Sequence, residues 1–485
     1  MSDPGAGLVD ELSALAAQFG FTLDDPKGAA RAAQDSESLL ERLDDVDDPD
    51  PPERDHWDPE SDPLGAWLTR CEVRRSSEGR LAGCDVGIKD NIAVAGVPLT
   101  CGSRLLETHV AHRDATVVER LLDAGATVTG KTNMDEFAVG EDERAMRFTL
   151  ARNPHDPDRQ PGGSSSGSGV AVATGAVDAA LGSDTAGSVR YPASWSGVVG
   201  LKPTRGLVPT SGFVHFAPTL DTIGVLADNI ETVADVLVSI ANDEWGTADV
   251  SPDDVIAAAD GATTPDPSAL TVGVPDALFG RGGEVDDVVR AALEELADAG
   301  AVVQSVSIPD FDLAIPAWHA IGTVEFGAYI GGAATGCGLD VDPMPALWDA
   351  LATALDERPN DLGPVVREQL MGAAYHRSEH RGRYYAKAQL ARRRVAEGVA
   401  ATLSDVDVLA GPTVPNLPPK WGEDVAPLTE AVVNTAPFNL TGHPAVSVPC
   451  GAVDGLPVGL QFIAPRFRED VALTAAGAWT SVRDT

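Results

Sequence analysis

Residues 162–190 read GGSSSGSGVAVATGAVDAALGSDTAGSVR, two Gly/Ser-rich turns separated by an apolar run of small residues. Glycine permits tight backbone and leaves N–H groups free to point at an anion. Hydroxyls held on such turns, Ser164 in the first and Ser188 in the second, are the raw material of a nucleophile with an oxyanion hole. A flexible Gly/Ser linker is the competing reading. The apolar VAVATGAVDAALG between the turns opposes it, because that run suggests a buried small-residue helix. No Lys-Ser/Thr pair follows the glycines, so they do not read as a phosphate loop.

Acidic residues outnumber basic ones, 74 to 35, and the formal net charge is −39. Such a surface repels itself at low ionic strength and argues against direct, charge-driven binding of nucleic acid or an anionic membrane. The carboxylates are spread along the chain, which reads as halophilic adaptation; screening lengths fall to about 3 Å near 1 M salt. Only six lysines remain: Lys27, Lys89, Lys131, Lys202, Lys387 and Lys420. Lys89 lies between the apolar flanks 86–88 and 92–94, so it reads as a buried lysine kept for a purpose.

Five cysteines without CxxC spacing indicate neither a disulfide framework nor a zinc ribbon. No basic-apolar leader opens the sequence and no uncharged run is long enough to span a bilayer. The expectation is a soluble, cytoplasmic protein.

Residues 8–43 carry helical periodicity. An acid- and proline-rich run then extends to about residue 63 and reads as a solvated linker, since proline and charge together oppose a packed core. From residue 83, β-branched segments such as CDVGI and ATVTG alternate with helical ones such as DATVVERLLDAG, the pattern of an α/β sheet with covering helices. ALTVGVPD reads as a strand and VDDVVRAALEELADAGAVV as a helix leading into another. Residues 311–400 read as mostly helical, with one basic surface helix over HRSEHRGRYYAKAQLARRR. The expected division is an N-terminal helical segment with acidic linker over 1–62 and a catalytic domain over 63–485.

Several ordered blocks carry a family resemblance. They are GCDVGIKDNIAVAGVPLTCGS (83–103), GATVTGKTNMDEFAVG (125–140), the Gly/Ser stretch running on into YPASWSGVVGLKPTRG, then TLDTIGVLADNI. DVLAGPTVP, PFNLTGHPAVSVPCG and GLPVGLQFIAP follow near the C-terminus. Together they resemble the amidase signature family over roughly residues 63–480, far more specifically than a lone G-x-S-x-G would. The resemblance implies an α/β fold, a single large mixed β-sheet covered by helices, after an N-terminal helical segment.

It also implies a triad of lysine, cis-serine and nucleophilic serine. Carried over block by block, these are Lys89 from GIKDN, Ser164 from GGSSSGS and Ser188 from DTAGSVR. Ser188 is a weak nucleophile unaided; Ser164 would take its proton while passing its own to a neutral Lys89. Lowering a lysine from about 10.4 to near 7 costs about 4–5 kcal/mol and requires burial. The implied oxyanion donors are the N–H groups of Thr185, Ala186, Gly187 and Ser188. Asp184 and Arg190 flank that turn as an ion pair or brace, and Ser165 is placed to orient Lys89 or Ser164. No metal and no cofactor is implied.

Four positions depart from the family pattern. Ser166 and Ala186 stand where glycine is usual, and Trp195 and Ser196 replace a small aromatic and a cysteine. A positive φ at Ala186 would cost about 1 kcal/mol. Elsewhere, His376 to His380 match the H-x-x-E-H pattern, which on a helix puts two histidines on one face. The arginine-rich surroundings favour a solvated helix face, and His109 and His112 read as surface residues too.

The reading is therefore hydrolysis of carboxylic amides to acid and ammonia through an acyl-serine intermediate. A stand-alone amidase is expected, acting on a small-molecule amide, with no direct nucleic-acid partner, no membrane, and a homodimer left open. The alternative is the A subunit of the aspartyl/glutamyl-tRNA amidotransferase, which hydrolyses glutamine and passes ammonia to a partner subunit. NMDEFAVG resembles that subunit closely. EDERAMRF, Tyr191, the long acidic N-terminal extension and SIPDFDLAIPAWHAIGTVEFGAYIG favour the free amidase. A catalytically silent member of the fold is opposed by the intact Lys89, Ser164 and Ser188.

Overall fold

The computed structural model describes residues 6–43, 46, 48–140, 143–242, 251–259, 266–281, 283–334, 342–423 and 428–483. The chain divides into two compact units, Met1–Pro49 and Asp50–Thr485. The smaller unit carries two helices, Ala6–Phe19 and Pro26–Leu40. The second starts where Asp25 caps it, its carboxylate accepting from Gly28 N at 2.9 Å, with Pro26 pre-set for the first turn.

In the larger unit twelve strands form one sheet. They are β1 (His56–Trp57), β2 (Trp67–Arg74), β3 (Asp85–Lys89), β4 (Thr127–Thr132), β5 (Ala179–Asp184) and β6 (Val199–Lys202), followed by β7 (Thr222–Ala227), β8 (Thr271–Pro275), β9 (Val302–Val306), β10 (Val408–Pro412), β11 (Ala445–Val453) and β12 (Leu456–Ile463). Their order is β1-β2-β4-β3-β5-β7-β6-β11-β12-β10-β8-β9. β3 is parallel to both β4 and β5, and β8 to both β9 and β10; the other pairs are antiparallel. The sheet is mixed and helix-covered, an α/β fold.

Central strands β5 and β7 are buried along their whole length, as expected of a sheet covered on both faces. Val86, Ile88, Leu181 and Val225 from the sheet pack in one core with Leu121, Val233 and Leu237 from the helices Thr116–Asp123 and Ile230–Ile240. Part of the acid- and proline-rich run joins this unit, because His56 and Trp57 pair with Cys71 and Arg70 at the sheet edge.

One helical expectation changes. The basic segment predicted as a single helix is two, Pro364–His380 and Arg383–Thr402, parted by left-handed Arg381 (φ 45°) and Gly382 (φ 77°). Two successive left-handed residues cannot continue a right-handed helix. Among the described residues, no helix is long and apolar enough to cross a membrane.

Candidate active site

The parallel trio β4, β3 and β5 sets three strand ends side by side. Ile88 pairs with Leu181 and Lys89 with Thr132, so Lys89 emerges at the carboxyl end of β3 beside Ser183 of β5. Open α/β sheets bind ligands at such carboxyl ends. Above them lies the helix Ser166–Ala173, whose small residues let it settle onto the sheet; a Cβ on Gly167 would collide with the backbone of Ala66 and Asn133. Its N-terminal approach carries Ser164, after a cis Gly163–Ser164 peptide.

Lys89 is fully buried. Its Nζ donates to Ser164 Oγ at 2.8 Å and to Ser183 Oγ at 2.9 Å. Asn91 Nδ2 also donates to Ser183 Oγ, at 3.1 Å. Burial pushes the Lys89 amine down to about 7, against the weaker upward pull of Asp135, Asp184 and Asp221. Three of the six lysines are fully buried, and their partners differ. Lys131 pairs with Asp90 at 3.0 Å, whereas Lys89 meets hydroxyls.

The turn after β5 is held from several sides. Asp184 and Arg190 form a fully buried ion pair at 2.9 Å. Burial raises the Asp184 carboxyl, but the charge and hydrogen bonds of Arg190, with Lys202 and the Asn439 amide, together outweigh it and hold it at about 2. Arg190 also donates to Gln461 Oε1 and Asn439 Oδ1, each at 2.8 Å. Thr185 Oγ1 donates to Asp221 at 2.5 Å, Trp318 Nε1 to the Thr185 carbonyl at 3.0 Å, and Thr435 Oγ1 to the Ala186 carbonyl. The N–H groups of Ala186, Gly187 and Ser188 have no acceptor among the described residues. Three free donors on one braced turn are what an oxyanion requires. The positive φ of this turn falls on Gly187 (134°) and not on Ala186, so the alanine is accommodated without that strain.

Thr185, Ala186 and Ser188 line a cavity of about 330 Å³, with Phe216, Trp318 and Gln369 on its other walls. Ser164 and Lys89 are buried. Ser165 does not bond Lys89 or Ser164; its Oγ donates to the Ser183 carbonyl at 3.2 Å and fixes the helix start to β5. Sequence reasoning missed Ser183, Asn91, Asp221, Trp318 and Thr435. The repeated hydroxyl in GSDTAGS was the one signal that could have drawn attention to Ser183.

The His376 and His380 rings are tilted at 44° with centroids 5.6 Å apart, and the His319 ring lies 6.4 Å from that of His376. Among the described residues, no group of three or more His, Cys, Asp or Glu side chains could hold a metal ion.

The family model described as Amidase matches residues 66–473. The chain belongs to the amidase signature family, and is an amidase-signature hydrolase of the carboxamide-hydrolysing kind. It is 42% identical to the A subunit of the glutamyl-tRNA(Gln) amidotransferase of Halobacterium salinarum, over 86% of this chain and 99% of that protein. It is 40% identical to the same subunit of Methanosarcina mazei, over 83% of this chain and 85% of that one. Among solved structures, the corresponding subunit of Thermotoga maritima superposes with a TM-score of 0.69 at 32% identity, covering 92% of this chain and 90% of that one. The peptide amidase of Stenotrophomonas maltophilia gives 0.68 at 30% identity, covering 84% of each chain.

These relatives correct the expected partners. A small-molecule amide as substrate and no direct nucleic-acid partner conflict with relatives whose name specifies a tRNA amidotransferase and one subunit of it. The names of these relatives back the alternative, an amidotransferase A subunit, better than the free amidase. Net charge misled here because it bounds only what this chain's own surface attracts. It says nothing about an RNA held by a partner.

Proposed function

We propose that this chain is the A subunit of a tRNA-dependent amidotransferase, producing ammonia from glutamine through an acyl-Ser188 intermediate and passing it to a partner subunit. One observation carries the reading: 42% identity along 99% of a relative that bears that name.

In this reading Ser188 Oγ attacks the carboxamide carbon while its proton moves to Ser164, whose own proton passes to neutral Lys89. The tetrahedral oxyanion sits on the N–H groups of the turn Thr185 to Ser188. Collapse returns a proton through Ser164 to the nitrogen, and ammonia leaves. Water then attacks the acyl-Ser188 ester by the same relay, releasing the acid. Ser183 and Asn91 orient Lys89, while Asp184, Arg190, Asp221 and Trp318 hold the donors still.

The test is reconstitution with the other subunits of an amidotransferase and a misacylated glutamyl-tRNA. Glutamine-dependent amidation that requires this chain, and is lost with Ser188→Ala, is the expected result. A chain that forms no complex and hydrolyses simple amides unaided, while ignoring glutamine, would overturn the reading.

A further inference from the structure

Away from the Ser188 cavity, three arginines from distant parts of the chain meet at the end of the helix Ala436–Thr441. An ideal Cβ on Gly442, just past that helix, would lie 3.7 Å from both Arg205 Nε and Arg466 Nε. Arg392 reaches the same helix end. It donates to the Leu440 carbonyl at 2.6 Å, to the Thr219 carbonyl at 2.6 Å and to Thr219 Oγ1 at 3.0 Å. All its acceptors are neutral.

Neither Arg205 nor Arg466 has an ion-pair partner among the described residues, and Arg205 Nε is buried with no hydrogen bond. The neighbouring carboxylates are spoken for. Glu325 accepts from Thr219 N, Thr219 Oγ1 and Tyr385, and Glu469 accepts from Thr204 N. The like charges feel one another. Burial and then Arg205 push the Arg392 guanidinium down to about 10, while burial, Lys202 and Arg466 push the His443 imidazole down to about 3. Glu325 attracts Arg205 and Arg392 without pairing either, and Arg466 lies over the Phe467 ring, 5.3 Å from its centroid, so three guanidinium charges face one carboxylate. A guanidinium fork offers parallel N–H donors that match a tetrahedral oxyanion.

We propose that Arg205 and Arg466, backed by Arg392, form a binding site for a phosphate-type oxyanion, supplied either as free phosphate or as a phosphodiester of RNA. Only the RNA source draws on the amidotransferase reading. The site shares no residue with the lining of the catalytic cavity.

The experiment compares the full-length chain with Arg205→Gln/Arg466→Gln, and with Arg466→Gln alone, whose exposed side chain can change with least risk to folding. Inorganic phosphate is titrated by calorimetry at constant ionic strength, and tRNA binding is followed across a salt series. A free-anion site predicts saturable phosphate binding weakened at least tenfold in the double variant. An RNA site predicts that the slope of log affinity against log salt falls by about 1.4–1.8, for two lost phosphate contacts. Ammonia release stays at the wild-type rate in both variants, which separates failure of this site from failure of the catalytic reading. If wild type and both variants match in the phosphate and the tRNA arms, the proposal is wrong.

Discussion

Lys89 Nζ donates to Ser164 Oγ at 2.8 Å from a position wholly removed from solvent. A buried charge without a carboxylate partner loses its hydration and gains little back, so the neutral amine is favoured. Lys131, equally buried, has a carboxylate partner in Asp90 at 3.0 Å, which Lys89 lacks. With the Lys89 amine at about 7, kcat/KM should rise with pH through that value and fall close to tenfold per unit below it. A flat profile from pH 5 to 9, with chemistry rate-limiting, would remove Lys89 from the relay.

The same burial weighs on stability. An unfolded lysine binds its proton below about 10.4, the folded one only below about 7, so the cost is absent above the higher value and complete below the lower. Across that window it amounts to about 5 kcal/mol. Lys89→Met should therefore lose at least about a thousandfold in rate, as for removal of a general base. It should melt no lower than the wild type at pH 7, its apolar side chain suiting the site better. Calorimetry at pH 7 and 10 checks the sign, because the variant's relative advantage should shrink at the higher pH.

Ser183→Ala removes the second acceptor of Lys89 and the contact with Asn91. The expected loss is about 10–100-fold in kcat with KM little changed, the signature of an interaction needed in the transition state. An accepting oxygen favours the ammonium, so its removal should also move the acid limb of the pH profile to lower pH. An equal fall in stability and activity, with the profile unmoved, would make Ser183 merely structural.

Family and fold class were legible in the sequence because their signals are local and ordered. GIKDN, GGSSSGS and DTAGSVR each span a few residues, and the β-branched and helical segments alternate visibly. The braces around the turn were not legible. Asp221, Trp318 and Thr435 come from three separate stretches, Trp318 on a helix and Thr435 at the start of another, and reach Thr185 and Ala186 only through the tertiary fold, which no local pattern encodes. The break at Arg381 was hidden for another reason. One glycine inside a charged periodic run is an ordinary sight, and tertiary context decides whether it ends a helix.

Arg190→Met would leave Asp184 buried without its cation. The expected cost is about 3–5 kcal/mol, as for other broken buried pairs. Activity should fall further than stability predicts, since Val189 N and Arg190 N also rest on the Asp184 carboxylate and shape the turn. Urea denaturation alongside ammonia release tests both halves. A variant of wild-type stability would show the pair to be dispensable.

The net charge of −39 predicts a chain that repels itself in dilute buffer. Raising KCl from 0.1 M to 1 M shortens the screening length from about 10 Å to about 3 Å and should raise the melting temperature. In the proposed relay the Lys89–Ser164 pair works in its neutral form, so the chemical step should gain only through folding. Melting curves by circular dichroism over the KCl series decide the matter; a melting temperature independent of salt would assign the acidity another purpose.

The central claim is that Ser188 carries the acyl group while Ser164 and Lys89 move its proton. It is tested most directly by acid-quenching the enzyme during turnover of a slow ester substrate and mapping the adduct by peptide mass spectrometry. One acyl group is expected, on Ser188, absent from Ser188→Ala and accumulating far more slowly in Lys89→Met. An adduct on Ser164, or steady turnover by Ser188→Ala, would contradict it.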